Sequence, residues 1–549
     1  MQNNIFETLK TKIQGDVLVD EKTLTTYSQD ASLFEIRPAC VVYPKHAEDV
    51  KAIVRFVAEN KSTHPELSIT ARSAGTDMSG AAVGPSIIMD FTRYMSAIKE
   101  ITDDYVVVEP GCYYRNLEKE TLKRGRIMPA YTASKEINAV GGMVANNSGG
   151  EKAIKYGKTE NYVKKLKVVF ADGNEYTVLP LTLNELKAKV LEDSYEAKIY
   201  RLMFDLIKAH RDEINKAKPD VSKNSSGYYL WNVMDDEDNF NLCKLIVGSQ
   251  GTLGIVTEIT FSLVPVAPYS NLLAIFMPDL KNLSHIVNEI LPFTPDSLES
   301  YDDYSMALAV RFFFDFFKQL GFWGAIRLGL KFIPEAWMMA TGGLPKLILL
   351  VEFSDESEAK VKEKLEAVKA KVAHFGYKMR IAKDSKEAEK YWRIRRESFN
   401  MLRKHVQGKR TAPFIDDIIV KPEHLPEFLP EVQKILNEYK LIYTIAGHAG
   451  NGNFHIIPLM DLNSPFSADT ILEVSKKVYD LVHKYQGSIT AEHNDGIIRT
   501  PYLTQMFGQN MVELFRQTKN IFDPQNILNP GKKVGGTFED IKTYIKKKN

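Results

Sequence analysis

The stretch Val140-Gly-Gly-Met-Val-Ala-Asn-Asn-Ser-Gly-Gly150 places four glycines and two adjacent asparagines in eleven residues. Such a run gives up side-chain packing and backbone rigidity together, so it is poor material for a helix or strand. It is expected to form a loop wrapped around a ligand rich in polar atoms, because long loops in compact domains usually carry function. Gly141, Gly142, Asn146, Ser148 and Gly149 are its candidate contacts. The competing reading is a plain surface loop.

A second glycine-bearing segment, Ala71–Gly80, follows a strand expected at Leu67–Thr70. It offers two glycines, three hydroxyls and an arginine. Glycine takes positive φ at little cost, and successive backbone amides in such a turn form an anion-binding nest. Arg72, Ser73, Ala74, Gly75, Thr76, Asp77 and Ser79 are therefore candidates for holding a pyrophosphate. A structural turn would read similarly. The segment lacks the G-x-G-x-x-G pattern with its downstream acidic residue, which disfavours a Rossmann nicotinamide domain.

With 549 residues the chain is long enough for two or three domains. Residues 1–34 read as a helical segment. Residues 35–268 alternate strands and helices: strands at Cys40–Pro44, Ser86–Asp90 and Tyr105–Glu109, and a helix over Ala47–Asn60 with apolar residues at helical spacing. Leu166–Phe170 followed by Ala171-Asp-Gly-Asn174 reads as a hairpin. Composition changes after Pro265–Pro268, where a boundary is placed. Residues 269–480 alternate strands with charged helices such as Ser357–Phe375, and 481–549 form a C-terminal segment.

Lysine plus arginine (71) balance aspartate plus glutamate (70), so charge gives no argument for nucleic acid. Cys40, Cys112 and Cys243 are far apart. That excludes an iron–sulfur cluster held within this chain and fits buried thiols in a reducing compartment. No secretory signal and no spanning helix are read. The expected location is the cytoplasm. The aromatic-rich stretch Met306–Met339 is interrupted by charge, and carries two readings: peripheral contact with the inner face of the membrane, or packing within the protein or on a partner.

Histidines and a glutamate cluster in Gly447-His-Ala-Gly-Asn-Gly-Asn-Phe-His-Ile-Ile457 and in Ser488-Ile-Thr-Ala-Glu-His-Asn-Asp-Gly496. His455 is expected in a strand, and the glycines let the chain double back so that His448 meets His455. Two histidines and a carboxylate make a frequent open site for a divalent metal such as Zn, Mn or Fe. Each histidine taken alone is more often a hydrogen-bonded core residue.

Taken together, these motifs resemble the FAD-linked oxidases of the vanillyl-alcohol oxidase (PCMH-type) superfamily. The resemblance is carried by Arg72-Ser-Ala-Gly-Thr76, Val108-Glu-Pro-Gly111, Pro129–Ser134, Gly141–Gly150, Lys155-Tyr-Gly157, Gly248–Glu258 and Asn529-Pro-Gly-Lys532. It implies an α+β fold: a two-lobed PCMH-type FAD-binding domain, a cap domain with a mainly antiparallel sheet covered by helices, and a C-terminal segment returning to the flavin. It adds Pro129, Thr132, Ser134, Gly254, Ile255 and Asn529 to the candidate cofactor contacts. Some members tether FAD through a histidine in the first loop; Ala74–Asp77 has none, so non-covalent FAD is expected.

Within that superfamily the histidine segments are similar to those of D-2-hydroxyacid dehydrogenases. The similarity implies His448, His455 and Glu492 as metal ligands and His493 as base. It points to Arg395, in Tyr391-Trp-Arg-Ile-Arg-Arg396, as the cation for a substrate carboxylate. The chemistry is consistent: an unperturbed histidine, with pKa about 6.5, accepts a hydroxyl proton while a metal stabilises the developing alkoxide. Ile457 and Ile415 stand where the 2-hydroxyglutarate branch carries an asparagine and a lysine, which argues against a second substrate carboxylate. Asn494-Asp495 also departs from the usual glycine-containing continuation. The Glu492–Lys532 region resembles the flavin part of larger flavin and iron–sulfur dehydrogenases, whose cysteine-rich extension has no counterpart here. The leading expectation is oxidation of a D-lactate-like hydroxyacid, with a quinone or electron-transfer protein as acceptor. An oxygen-using alcohol or sugar oxidase, and a flavin subunit of a larger complex with a separate iron–sulfur partner, stay open as alternatives.

Overall fold

A computed structural model describes residues 2–302, 345–405 and 409–546. The chain divides into two compact units. The first comprises residues 1–150, 157–266 and 488–549; the second comprises 151–156 and 267–487. The aromatic stretch Met306–Met339 lies outside the described residues. Among the described residues no helix is long and apolar enough to cross a membrane.

The first unit holds two principal sheets. One is four-stranded, in the order Asp16–Leu18, Cys40–Tyr43, Ile87–Asp90, Ile69–Arg72. Its last three strands run parallel, and Asp16–Leu18 adds antiparallel. Parallel neighbours need a crossover connection, and Ala47–Asn60 supplies it between Cys40–Tyr43 and Ile69–Arg72. That helix buries Val50, Ile53, Val54 and Val57, the helical spacing read from the sequence. The N-terminal stretch, read as helical, thus also contributes an edge strand.

The second sheet is five-stranded and antiparallel: Ile98–Ile101, Tyr105–Val108, Ile255–Ser262, Val163–Val169, Glu175–Val178. Its last pair is the expected hairpin, with Leu166 opposite Val178 and Val169 opposite Glu175. Asp172 accepts the Asn174 amide at 3.1 Å across the turn. The C-terminal segment returns to the first sheet. Ile69 donates to the Ile527 carbonyl and its own carbonyl accepts from Asn529, each at 2.8 Å. The three cysteines are free and buried, and burial pushes their thiols up in pKa.

The second unit is built on an eight-stranded antiparallel sheet among the described residues. Tyr269–Met277 and Leu347–Asp355 pair over their full nine-residue lengths. Leu272–Met277 is buried at every position, because helices Glu358–Lys371 and Ser385–His405 cover the sheet. Ser297–Asp302 joins Leu347–Asp355 to Ile442–His448, which forms a hairpin with Asn453–Met460.

One expectation is overturned. Val140–Asn146 is a helix, not a loop. Gly141 is used for close approach: a Cβ there would lie 2.7 Å from the Pro110 carbonyl oxygen and 2.7 Å from Ser73 Oγ. Val140, Met143 and Val144 are buried, so apolar packing on one face outweighs the low helix propensity of two glycines. The helix ends at Asn147, which is left-handed with φ 52°.

Candidate functional site

The glycine-rich elements of the first unit converge around a few polar side chains. Gly75 is left-handed, with φ 67°, and turns the loop after strand Ile69–Arg72. The Arg72 guanidinium packs against Gly75, donates to the Ala82 and Gln29 carbonyls at 3.1 and 2.9 Å, and lies over the Tyr27 ring. It holds the loop's shape. Asp77 accepts the amides of Ser79 (2.9 Å) and Ala81 (2.8 Å) and the Asn146 amide side chain (2.9 Å). Ser73 Oγ donates to Pro110, and the hydroxyls of Thr132 and Ser134 pair at 2.8 Å. Asn138 donates to Thr132 at 2.7 Å, while its buried Oδ1 has no protein partner. A Cβ on Gly142 would meet no described atom within 4 Å. A buried acceptor without a protein donor, and a glycine face with open space before it, both fit a polar cofactor.

Gln250 joins these elements and was not singled out from the sequence. Its Nε2 donates to Ser79 Oγ and Asn146 Oδ1, both at 3.1 Å, and its Oε1 accepts the Gly496 amide at 2.9 Å. Its backbone is left-handed, with φ 53°, in the loop between Gly248 and Gly254. A Cβ on Gly254 would collide with Val168, and Ile255 opens the following strand opposite Val169. Asn529 is a staple: its Nδ2 donates to the Ala81 and Gln250 carbonyls, and its Oδ1 accepts from Thr70. Ser148 is buried, and its carbonyl accepts from Thr159.

Glu492 and His493 sit in this same unit. Glu492 is buried and pairs with the buried Lys223 at 2.5 Å. A Cβ on Gly149 would come 2.9 Å from Glu492 Oε1, so a glycine there leaves room for the carboxylate. Lys158 donates to the Ala491 carbonyl at 2.8 Å. Asn494 has φ 67° and donates to the carbonyls of Gly248 (2.8 Å) and Asn146 (3.2 Å). Asparagine tolerates the left-handed conformation better than other residues with side chains. It therefore serves at this left-handed turn.

The second unit carries the paired histidines. His448 closes one strand and His455 lies in the next, and their ring centroids are 5.3 Å apart. Two imidazoles sharing one tetrahedral ion, with bonds of about 2.1 Å, have centroids about 5 Å apart. Each ring is oriented by a buried carboxylate: His448 Nδ1 meets Glu299 Oε1 at 2.6 Å, and His455 Nδ1 meets Asp416 Oδ1 at 3.0 Å. A carboxylate on Nδ1 places the lone pair on Nε2, as in metal-binding histidines. The donor set fits a divalent cation. Asp417, left-handed at φ 69°, offers an oxygen within 4.8 Å of a His455 nitrogen and is a further possible ligand. Glu299 and Asp416 are distant in sequence from the histidines, and nothing in their local sequence marks them.

The structure separates the three arginines of Tyr391–Arg396, within helix Ser385–His405. Arg393 is exposed. Arg396 is bound bidentately to Glu151 (2.5 and 3.1 Å) and lies over Trp392. Its charge holds Glu151 below the usual carboxylate range against burial. Arg395 reaches Glu299 Oε2 at 3.1 Å. Arg395 and His448 therefore share one carboxylate.

Residues 38–178 match the FAD binding domain, and residues 268–533 match the C-terminal domain of FAD linked oxidases. The chain thus carries both domains of the FAD-linked oxidases. It is 26% identical over 528 residues to D-2-hydroxyglutarate dehydrogenase of Pseudomonas putida, covering 94% of this chain and 50% of that protein. Four such curated relatives are matched over only about half their length. Shorter relatives align nearly end to end. D-2-hydroxyglutarate dehydrogenase of Stutzerimonas stutzeri is 29% identical, covering 96% of this chain and 98% of that protein. D-lactate dehydrogenase of Archaeoglobus fulgidus is 28% identical, covering 90% and 91%. Among solved structures, the fold is similar to 4-ethylphenol oxidase from Gulosibacter chungangensis (TM-score 0.69, 16% identity, 97% of each chain). It is equally similar to p-cresol methylhydroxylase (TM-score 0.69, 16% identity, 98% and 97%).

The close approach at Gly141 gives a test of the cofactor cradle. Gly141→Ala forces the helix away from Pro110 and Ser73, an overpacking that costs about 1–3 kcal/mol. The purified variant is expected to hold less FAD per chain and to regain it at high added FAD, read from the ratio of flavin to protein absorbance.

Proposed function

We propose that this chain is an FAD-dependent D-2-hydroxyacid dehydrogenase acting on a small, D-lactate-like hydroxyacid. The observation that carries the reading is the pair of oriented histidines, one of which, His448, shares Glu299 with Arg395. It supplies metal ligands and a carboxylate-binding cation on one scaffold. His448, His455 and Glu492 are the proposed ligands of a divalent Zn, Mn or Fe ion.

FAD held in the first unit would supply the acceptor for the Cα hydride, and a divalent ion would supply the charge that acidifies the substrate hydroxyl. His493 takes the hydroxyl proton on its ring nitrogen. Arg395 holds the substrate carboxylate and so sets which face of Cα is presented. Lys223 holds Glu492 turned to one side through Oε1. Ser73–Asp77, Pro129–Ser134 and Gly141–Gly149 hold the flavin without a covalent tether. Ile415 and Ile457 are buried apolar residues, which favours a substrate without a second carboxylate over 2-hydroxyglutarate. A quinone or an electron-transfer protein is the proposed acceptor.

The test is anaerobic mixing of the purified yellow protein with a panel of D-2-hydroxyacids, with metal analysis of the same sample. D-Lactate or a close homologue is expected to bleach the flavin, and acid precipitation is expected to release that flavin into the supernatant. His448→Ala is expected to cost most of the bound metal. A panel in which no D-2-hydroxyacid bleaches the flavin sinks the reading, and flavin retained on the precipitate sinks the non-covalent assignment.

A further inference from the structure

Glu299 lies in the strand Ser297–Asp302, between Leu347–Asp355 and Ile442–His448 in the second unit's sheet. Its side chain is 2% exposed. Its two oxygens have different partners: Oε1 meets His448 Nδ1 at 2.6 Å and Oε2 meets Arg395 Nη2 at 3.1 Å. The histidine comes from the neighbouring strand and the arginine from the helix Ser385–His405. A buried carboxylate is costly unless its charge is balanced by well-placed donors. Here the two donors belong to the two functions the site requires, cation binding and carboxylate binding.

From this geometry we infer that Glu299 is a positioning residue that couples the metal ligand His448 to the substrate-anchoring Arg395, so that metal retention and hydroxyacid affinity depend on the same carboxylate. The inference rests on the functional reading above. Three physical points support it. A carboxylate on Nδ1 fixes the ring orientation of a metal-binding histidine and raises its basicity. A guanidinium is a planar fork, so one contact through Nη2 sets the direction of its other donors. The fixed negative charge lies between two cationic partners when metal and substrate are bound, and lowers the repulsion between Arg395 and the ion. Asp416 orients the other histidine, His455, in the same way and serves as the comparison.

The experiment compares Glu299→Gln with wild-type holoenzyme. Glutamine keeps the shape and loses the charge. The variant is expected to lose ten- to a hundredfold in metal affinity, read as metal retained after dialysis against graded chelator. At saturating added metal, its KM for the hydroxyacid that bleaches the wild type is expected to rise at least about tenfold, more than kcat falls. FAD content is expected to stay at the wild-type value. Asp416→Asn is expected to weaken metal retention and to leave KM at saturating metal unchanged.

Wild-type values of both quantities in Glu299→Gln overturn the inference, and so does a change in only one. Early melting with loss of FAD in a soluble variant also overturns it, since the carboxylate then serves folding alone. If Glu299→Gln does not fold, Glu299→Asp decides. Its carboxylate is one methylene short, so smaller losses in both quantities support the coupling, and wild-type values of both refute it. A wild-type protein that holds no metal and is bleached by no D-2-hydroxyacid refutes the functional reading instead.

Discussion

Replacing His493 with asparagine is expected to slow anaerobic flavin reduction by a D-2-hydroxyacid by about 10²–10⁴-fold, the usual worth of a positioned general base. The loss should appear in the rate of flavin bleaching at saturating substrate, because asparagine cannot take up the hydroxyl proton. FAD content should hold at the wild-type level. The turn that presents His493 is fixed by Asn494, through bonds to Gly248 and Asn146, and by the buried Asp495. None of these depends on the imidazole. Stopped-flow absorbance measures the rate, and the visible spectrum of the same sample gives its FAD content. A variant reduced as fast as the wild type would remove His493 from the role of base.

The second large effect is on stability and needs no substrate. Asp495→Asn is expected to destabilise the first unit by about 3–5 kcal/mol, the usual cost of breaking a buried ion pair from one side. Asp495 Oδ2 accepts from Lys533 Nζ at 2.9 Å and from the Gly227 amide at 2.8 Å, while Oδ1 accepts from Ser226 Oγ at 2.9 Å. Both side chains of the pair are fully buried. Burial drives the Lys533 ammonium below its usual pKa, and Asp495 opposes that shift. Losing the carboxylate charge strands the ammonium among the Ser225 and Gly227 carbonyls. A fall in melting temperature on the order of 10 °C is expected, measured by calorimetry of the FAD-saturated protein. Adding Lys533→Met to Asp495→Asn removes the stranded charge and should recover more than half of the loss. A double variant no more stable than the single one would mean that the lost hydrogen bonds dominate.

Both predictions concern the segment Glu492–Gly496, whose residues were visible in the sequence while their supports were not. The glycine-rich runs, the helix Ala47–Asn60 and the Asp172-Gly173 hairpin were readable because each is set by local rules of spacing or turn chemistry. His455 in a strand followed from alternation. The helix Val140–Asn146 was not readable, since low helix propensity was outweighed by burial of Val140, Met143 and Val144 in contacts made at a distance. Gln250, Asn494 and Glu299 are ordinary polar residues in their local sequence. They matter because of partners 171, 246 and 149 residues away.

The sequence by itself determined the kind of fold, the order of its glycine-rich segments and a candidate set of histidines with a glutamate. Those features depend on residue type and on spacing along the chain. Only the tertiary structure decided which of Arg393, Arg395 and Arg396 shares a carboxylate with His448, and that the run at Val140–Gly150 opens as a helix. The physical reason is the same in both cases. A buried charge or a weak helix is stable only with a partner at contact distance, and the chain's fold brings those partners from strands and helices far away in sequence.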